Sequence, residues 1–588
     1  MTQTSNELPE PQPLSPAARL LWIVLILSTL YLCYFHNLGA LGLVGPDEPR
    51  YAWIARDMQE TGDWVTPRLY GKPWFEKPPL YYWSAALSFK LLGVSEISAR
   101  LPSALSALLA TLALAWLAFR LYGAETARWL LLLLPTTVGM IGFSHAAATD
   151  MPFAAMLTIA MVFATKLLNL VPPSDQQSGQ ATTSEGARHS FTSFTSSTSF
   201  TSLLFGFFLG LATLAKGPAA IILSGGAVLL WAAFTKRWRD ALRCLHPVAV
   251  ASFCLTALPW YILCARRNPD FFRVFIIEHN FNRFLTPQFQ HVQPVWFYFP
   301  ILLIAFLPWS LALFWSLLLG SLRYLPLRRL SSLTLLLLSW SLFSLLFFSL
   351  SKSKLPGYIL PAIPAIGLLL ARSVAYSVRQ DEKSFRWLLI SFSLLSAVTG
   401  GVLLLMTHPF HITKPLGSAL ISVACVLLLF GLANFLMANK ENHATTLRHA
   451  APFCVVPILL LVGTFHLVAS PWLRYDPSGK TLAMEIQDHR IPIDQLFVQP
   501  MRRGQEFSLN FYLHQEMQNW DPDNPKDGYL LLSSKSCNSR VKPPWTCTSV
   551  PLELPSSGWF VYKVGRSKLA SGLGGGSAGD SLSDRQPR

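Results

Sequence analysis

The sequence predicts an all-α polytopic membrane protein of about 13 transmembrane helices, followed by a small C-terminal α/β domain. Three observations predict this fold class: charge is scarce, long apolar runs recur, and the composition turns polar after residue 470. Only 13% of the 588 residues are charged and 52% are hydrophobic, whereas soluble domains carry about 25% charged residues. This composition excludes a water-soluble enzyme, and the high hydrophobicity excludes a disordered chain.

The first apolar run covers residues 20–34 and has no small-residue cleavage site after it, so we interpret it as an uncleaved helix. Farther along, Lys216, Gly217 and Pro218 break one long apolar run, and we place a boundary between two helices there. A bilayer requires about 20 apolar residues per helix. The predicted membrane domain, residues 18–470, has spans near 20–34, 101–119, 127–143, 152–171, 203–215, 218–235, 248–264, 297–320, 331–350, 358–376, 387–407, 416–437 and 451–470.

The excess of Lys and Arg over Asp and Glu predicts the orientation of these helices in the membrane. The chain has 47 Lys and Arg residues against 31 Asp and Glu residues, a formal net charge of +16. A membrane explains this better than a nucleic-acid partner does, because cytoplasmic loops of membrane proteins collect Lys and Arg. With residues 1–17 in the cytoplasm, the predicted spans place the basic clusters at 236–243, 323–329 and 379–386 on that side. The polar segments then fall outside, at 38–100, 144–151, 216–217, 265–296 and 351–357.

Three further segments differ from the apolar runs. Residues 172–202 are of low complexity, and we expect a flexible cytoplasmic linker. Residues 471–566 are polar with short alternating stretches, which indicates a small α/β domain on the outer face, and the Gly/Ser-rich tail 567–588 is typical of disorder. Cys537 and Cys547 lie close together in this domain. They form a disulfide if the compartment is oxidising, and the sequence leaves this open.

The first outer loop, residues 38–100, combines carboxylates, cations and aromatic residues with several prolines. Connections this long are functional or disordered more often than they are plain linkers, although an aromatic belt at the membrane surface would show the same composition. Asp47 could take a proton from an attacking hydroxyl. Arg50 and Lys77 could hold a phosphate at headgroup depth. Glu76 could either hold a metal with a distant ligand or pair with a cation.

Two charged residues lie at span boundaries on the same outer side. Asp150 precedes the 152–171 run, where it is either a site residue or an ordinary solvated helix end. Lys216 interrupts an apolar run, and a lysine without a partner is costly there. We therefore expect an anionic partner for Lys216, either an acid or a phosphate on the outer face.

Two later segments carry further candidates. His279 offers a metal ligand or a base but could equally be a plain polar loop residue, and Arg283 offers a phosphate contact. Lys352 and Lys354 lie with Tyr358 where the 331–350 span ends. Lysines that extend to the membrane surface would give the same pattern.

Nucleotide-binding motifs are missing from the sequence. Neither a G-x-G-x-x-G run nor a Walker sequence occurs, so no nucleotide cofactor is indicated. Asp521 and Asp523 have the D-x-D spacing of nucleotide-sugar enzymes, but turn-forming residues surround them and favour a turn.

Several motifs together resemble one family. The runs DEPRYA at 47–52, GDWVTP at 62–67 and FEKPPL at 75–80 resemble the bacterial aminoarabinose transferases of the ArnT type. These are polytopic glycosyltransferases of the GT-C fold, related to protein O-mannosyltransferases. The runs LAKGP at 214–218, EHNFNRF at 278–284 and SKLPGY at 353–358 continue the resemblance, which covers roughly residues 40–365.

The resemblance implies an enzyme of the bacterial inner membrane that takes a sugar from a polyisoprenyl phosphate carrier, usually undecaprenyl phosphate. The sugar would pass, on the periplasmic face, to lipid A, another glycolipid or a protein hydroxyl. By resemblance, Asp47 and Asp150 are the catalytic acids, while Glu76 and His279 are the candidate ligands of a divalent metal. The carrier phosphate would be held by Lys77, Lys216 and Arg283, with Tyr358 beside the same cavity.

The reaction implied is a direct displacement at the anomeric carbon with inversion, and the preferred acceptor is lipid A or another glycolipid. Transfer to Ser or Thr hydroxyls is the second candidate, and the sequence does not decide between them. A transporter or flippase is a different class, which predicts charges near the middle of spans and paired repeats with broken helices. The charges here gather instead at the outer ends of the predicted spans.

Overall fold

The computed structural model describes residues 15–171, 187–286, 292–315, 330–380, 454–469, 478–535 and 551–566, with isolated positions between 390 and 436 and between 537 and 547. The chain divides into two compact units. The larger, membrane unit comprises Met1–Ala40 and Ile54–Trp472, and the smaller, outer unit comprises Leu41–Trp53 and Leu473–Arg588. Each unit is described by itself below.

Helices dominate the membrane unit. In the part of the chain that the structure describes, seven of them are long and apolar enough to cross a bilayer. A rise of about 1.5 Å per residue gives each the length that a hydrocarbon core demands. The seven spans are Pro16–Tyr34, Glu96–Tyr122, Asp150–Leu167, Thr198–Lys216, Pro247–Arg267, Ser332–Leu350 and Pro356–Val378.

Other predicted spans correspond to shorter or bent helices. Ala124–Leu133 and Val138–Ser144 form a pair bent by 64°, which matches the predicted 127–143 span. Shorter apolar helices cover Ala219–Thr235, Val295–Ala305 and Val456–Ala469. The predicted spans 387–407 and 416–437 lie largely outside the described residues, as do the first fourteen residues and the tail 567–588. The count of about 13 spans therefore stays a prediction.

Helix Asp150–Leu167 is the centre of the membrane unit, because 83% of its membrane-spanning window is buried. It packs against Glu96–Tyr122 and against the helix that ends at Lys216. Small residues allow helices to approach closely in a membrane. Helix Asp150–Leu167 carries four that are nearly fully buried, namely Ala154, Ala155, Ala160 and Ala164.

The break predicted at residues 216–218 is confirmed. One helix ends at Lys216, and the next begins at Ala219 after Pro218. Gly217 has a φ of +81°, in the region that glycine enters without strain. A proline is tolerated at the start of the second helix because its missing N–H would have no intrahelical partner there.

The structure adds regular elements to the first outer loop and corrects the expected flexible linker. The first outer loop, 38–100, contains helices Asp47–Thr61 and Leu80–Leu92 and a short hairpin, Arg68–Leu69 with Lys72–Pro73. Of the predicted flexible linker 172–202, residues 172–186 lie outside the described residues, but the rest belongs to helix Ala187–Lys216. Extending an existing helix requires only one residue at a time to be ordered, so a polar run can continue a stable span.

The outer unit contains the predicted small α/β domain. Its central strand, Gly528–Leu532, pairs in parallel with Leu496–Val498 and antiparallel with Trp559–Arg566. Two helices, Lys480–Asp488 and Arg503–Leu513, pack with each other, and their apolar residues share a core with one face of the sheet. Further strands extend the sheet at Gln518–Asn519, Trp545–Cys547 and Leu552–Leu554.

The disulfide that the sequence left open, between Cys537 and Cys547, is present in the outer unit. Cys547 lies on the strand Trp545–Cys547. Both half-cystines lie against the apolar face of the sheet that Phe497, Leu530 and Tyr562 form. Such a bond is typical of proteins outside the reducing cytoplasm, in agreement with the predicted outer placement.

Candidate active site

A cavity of about 360 Å³ lies in the membrane unit among the ends of several helices. One wall is charged and carries Glu76, Lys77, Lys216 and Arg283. The lining also includes an apolar set, which we call the apolar wall: Pro218, Ala219, Ile222, Phe347 and Phe348. A molecule with an anionic head and a hydrocarbon chain matches this division.

Lys216 and Asp150 form an ion pair beside the cavity. The distance from Lys216 Nζ to Asp150 Oδ1 is 2.5 Å, and the two side chains are only 11% and 21% exposed. Asp150 opens helix Asp150–Leu167 and Lys216 closes its own helix, so each charge opposes the partial charge of its helix end. The expected anionic partner of Lys216 is therefore confirmed as an acid, Asp150.

The surroundings of this pair are tightly packed. The Lys216 ammonium lies 4.8 Å from the centre of the Tyr358 ring and 5.5 Å from that of Phe153, within cation–π range. A Cβ atom on Gly357 would lie 2.9 Å from Asp150 Oδ1. A larger residue at position 357 would therefore force the Asp150 carboxylate or its neighbours to shift.

A second charged group brings together Glu76, Lys77 and Arg283. Glu76 Oε1 is 3.3 Å from Lys77 Nζ and 3.4 Å from Arg283 Nη1. The three side chains are between 10% and 14% exposed. The sequence left two roles open for Glu76, and these contacts show that it pairs with cations.

His279 lines the same cavity. Burial lowers the pKa of its imidazole, and the nearby Glu76 carboxylate opposes that shift. Among the described residues, no group of three His, Cys, Asp or Glu side chains could hold a metal ion. Glu76 and His279 supply two such side chains, and the Glu76 carboxylate is already balanced by two cations. A metal at Glu76 and His279 therefore stays a prediction.

The segment after span Ser332–Leu350 delivers Tyr358 to the cavity. Tyr358 packs on Phe348, with ring centres 4.9 Å apart. Lys354 is buried, and its ammonium donates to the carbonyls of Ser351 and Gln293 at 2.6 and 2.9 Å. Extension to the membrane surface is therefore not the role of Lys354, whereas Lys352 is exposed.

The GDWVTP motif at 62–67 has a structural role that the sequence did not reveal. Asp63 Oδ2 is 2.7 Å from Arg68 Nη1, and Asp63 Oδ1 is 3.1 Å from Arg267 Nη1. The indole of Trp260 also donates to the carbonyl of Val65 at 2.9 Å. These contacts fix the chain just before Glu76 to the end of helix Pro247–Arg267. No local signal could have identified Arg267, because it lies about two hundred positions away.

The structure gathers six of the predicted site residues around one cavity, with Asp150 bound to one of them. The six are Glu76, Lys77, Lys216, His279, Arg283 and Tyr358. Asp47 and Arg50 belong to the outer unit, where Arg50 Nη2 is 2.5 Å from Asp47 Oδ1. Sequence reasoning missed the apolar wall, because a phenylalanine that faces a cavity and one that faces lipid look alike in a sequence.

Comparisons with known proteins identify relatives of this chain. Residues 20–275 match the family described as dolichyl-phosphate-mannose-protein mannosyltransferase. The undecaprenyl phosphate-alpha-4-amino-4-deoxy-L-arabinose arabinosyl transferase of Edwardsiella ictaluri (strain 93-146) is 32% identical over 454 residues, 75% of this chain and 76% of that protein. The protein of the same name from Enterobacter sp. (strain 638) is 32% identical over 451 residues, 75% of each.

A similar solved structure is that of ArnT from Cupriavidus metallidurans bound to undecaprenyl phosphate. It matches with a TM-score of 0.68 at 23% sequence identity, over 92% of this chain and 97% of that one. The structure of the same protein in the apo state matches with the same TM-score at 24% identity, over 93% and 98% of the two chains. At this level of identity the likeness establishes the GT-C fold.

Proposed function

The chain belongs to the undecaprenyl phosphate-aminoarabinose arabinosyl transferase family of membrane glycosyltransferases, and on that premise we propose that it moves a sugar from undecaprenyl phosphate to an envelope acceptor. The relatives' names give the carrier and the sugar class. The proposed site is the periplasmic side of the bacterial inner membrane. The preferred acceptor is lipid A or another glycolipid.

The observation that carries the proposal is the charge of the cavity. Lys77, Lys216 and Arg283 pair with the carboxylates of Glu76 and Asp150, so these five side chains together carry three positive and two negative charges. A phosphate diester brings one negative charge to this place. The apolar wall beside it offers the first isoprene units a hydrocarbon surface, whose burial contributes about 25 cal/mol per Å².

The proposed reaction is a displacement at the anomeric carbon. The acceptor oxygen forms a new bond to that carbon while the bond to the carrier phosphate breaks, which inverts the configuration. Negative charge grows on the departing phosphate, and preorganised cations in a site of low dielectric stabilise it. Arg283 and Lys77 are the proposed direct contacts. Asp150 holds the Lys216 ammonium in position.

Asp47 is the proposed acceptor-side residue. Its side chain is 51% exposed while that of its partner Arg50 is 6% exposed. The Asp47 carboxylate is therefore open to solvent and is held by the buried Arg50 guanidinium. An acceptor hydroxyl would give its proton to Asp47, a contribution of typically 10²–10⁴-fold. A phosphate of lipid A is already ionised and would be oriented more than deprotonated.

The test compares two arginines of the membrane unit. Arg283→Ala removes a cavity cation, and Arg266→Ala removes an exposed arginine from the end of helix Pro247–Arg267 as the matched control. Purified protein in liposomes would be supplied with the undecaprenyl phosphate-linked sugar and lipid A. Mass spectrometry would then quantify the glycosylated lipid A. We expect Arg283→Ala to lower transfer about 10²–10³-fold and the control to retain it.

Equal transfer by the two variants would refute the cavity as the phosphate site. Sugar found on protein Ser or Thr residues of the host, with lipid A unchanged, would move the acceptor to the second candidate. Movement of the carrier lipid across the bilayer without any glycosidic product would favour the transporter class.

A further inference from the structure

The C-terminal part of the outer unit has no assigned part in the reaction proposed above, yet it forms one unit with a piece of the first outer loop that carries Asp47. Residues Leu41–Trp53 belong to this unit together with the C-terminal part of the chain. The piece ends in the first turns of helix Asp47–Thr61 and carries Asp47. Several of its contacts within the unit are made with one helix, Arg503–Leu513.

Leu43 is held at both of its backbone polar groups. Its N–H donates to the Tyr512 hydroxyl at 2.9 Å, and its carbonyl accepts from the Ser508 hydroxyl at 3.0 Å. Leu43 and Ser508 are both fully buried. A buried backbone group that loses its partner keeps the whole cost of its desolvation, so these two bonds specify the path of the chain just before Asp47.

Gly45 touches the same helix without any side chain between them. A Cβ atom on Gly504 would lie 2.9 Å from the carbonyl carbon of Gly45 and 3.2 Å from its Cα. The obstacle is backbone, which cannot rotate away as a side chain can. Gly45 has a φ of +69° and lies two residues before Asp47, so a shift here moves the start of the helix that presents Asp47.

Arg50 of helix Asp47–Thr61 adds a further contact to helix Arg503–Leu513. Its guanidinium lies 5.8 Å from the centre of the Phe507 ring and 5.2 Å from that of Tyr51. The same guanidinium pairs with Asp47 at 2.5 Å. The aromatic face of Phe507 therefore supports the arginine that orients the Asp47 carboxylate.

We infer that helix Arg503–Leu513 of the outer domain positions Asp47 for transfer, with Gly504, Ser508 and Tyr512 as positioning residues. The inference rests on the proposed role of Asp47. It assigns the outer domain to the catalytic apparatus and explains why a segment of the first loop belongs to a domain more than four hundred residues later in the chain.

The experiment uses the full-length protein with three variants and one control. Gly504→Ala places a Cβ against Gly45, yet alanine is the better helix former, so the helix itself is not weakened. Ser508→Ala and Tyr512→Phe each remove one bond to Leu43. The control, Leu513→Ala, truncates the same helix on the face that packs in the domain core. Protease resistance of the domain and the Cys537–Cys547 bond report folding.

We expect Gly504→Ala to lower kcat about 10–100-fold, since a displacement of about 1 Å costs up to 10²-fold. The donor KM should change less than about twofold, because the cations of the cavity are untouched. Ser508→Ala and Tyr512→Phe should each lower kcat by about 3–30-fold, because each removes only one hydrogen bond to Leu43. Leu513→Ala should leave kcat within about threefold, because it acts on domain stability alone.

A double-variant cycle separates positioning from general damage. Gly504→Ala in an Asp47→Asn background should lower the residual transfer less than about twofold further, because the residue it misplaces is already disabled. A full repeat of the loss in that background would overturn the inference. So would kcat values of the three variants equal to that of Leu513→Ala, while Asp47→Asn itself loses transfer. Full transfer by Asp47→Asn would overturn the role of Asp47 and the inference with it.

Discussion

Lys216→Met tests the ion pair at the centre of the proposed site. The substitution keeps a long unbranched side chain and removes the charge, which leaves Asp150 without the cation 2.5 Å from it. Breaking a buried pair by removing one partner costs about 3–5 kcal/mol. The Asp150 side chain keeps 21% exposure, so water offsets part of the loss. We expect the free energy of unfolding to fall by about 3 kcal/mol, the lower end of that range.

A double-mutant cycle supplies the matched comparison. Asp150→Asn with Lys216→Met removes both charges, and the pair should then cost about 2 kcal/mol less than the sum of the two single variants. Denaturant unfolding in detergent measures all three. Lys90→Met, at an exposed lysine of helix Leu80–Leu92, is the control and should change stability by less than about 0.5 kcal/mol.

The reasoning would be refuted by a Lys216→Met loss similar to that of Lys90→Met, or by additive costs in the cycle. Either result would mean that the Asp150–Lys216 contact contributes no net free energy. Transfer should also fall in Lys216→Met, since the ammonium lines the cavity. Unchanged transfer together with the expected instability would restrict this pair to a structural role.

Three further predictions concern the rest of the site. Asp63→Asn weakens the contacts to Arg68 and Arg267 and should lower the free energy of unfolding by about 1–2 kcal/mol; denaturant unfolding checks it, and no change would contradict the proposed link between the two segments. Burial lowers the pKa of His279, so the unfolded chain binds its proton first as pH falls through about 6.5. The free energy of unfolding should therefore rise with pH between the folded and the unfolded pKa of His279 and be flat above the unfolded pKa. The pH dependence of unfolding should differ between the wild type and His279→Gln only below the unfolded pKa. Chelation with EDTA should leave transfer unchanged because Glu76 is balanced by cations; a loss that added metal restores would establish the metal instead.

The sequence predicted much of the membrane unit because the bilayer is a strong local constraint. Any span requires about 20 apolar residues, so helices such as Ser332–Leu350 follow from composition alone. The same logic predicted a partner for Lys216, since a lysine within an apolar run is costly. The first outer loop was predicted less well. Helix Asp47–Thr61 has no long apolar stretch, so the requirement for about 20 apolar residues does not reveal it.

The sequence by itself determined that the chain crosses a membrane many times and which motifs carry the family resemblance, and it predicted that the polar segments gather on one side. Only the tertiary structure decided that Asp150 is the partner of Lys216, that Glu76 pairs with two cations, and that Leu41–Trp53 belongs with the C-terminal domain. Hydropathy depends on neighbouring residues, so a sequence window contains it. A charge pair or a glycine contact depends on the packing of segments that lie tens to hundreds of residues apart, and that packing is settled only when the whole chain has folded.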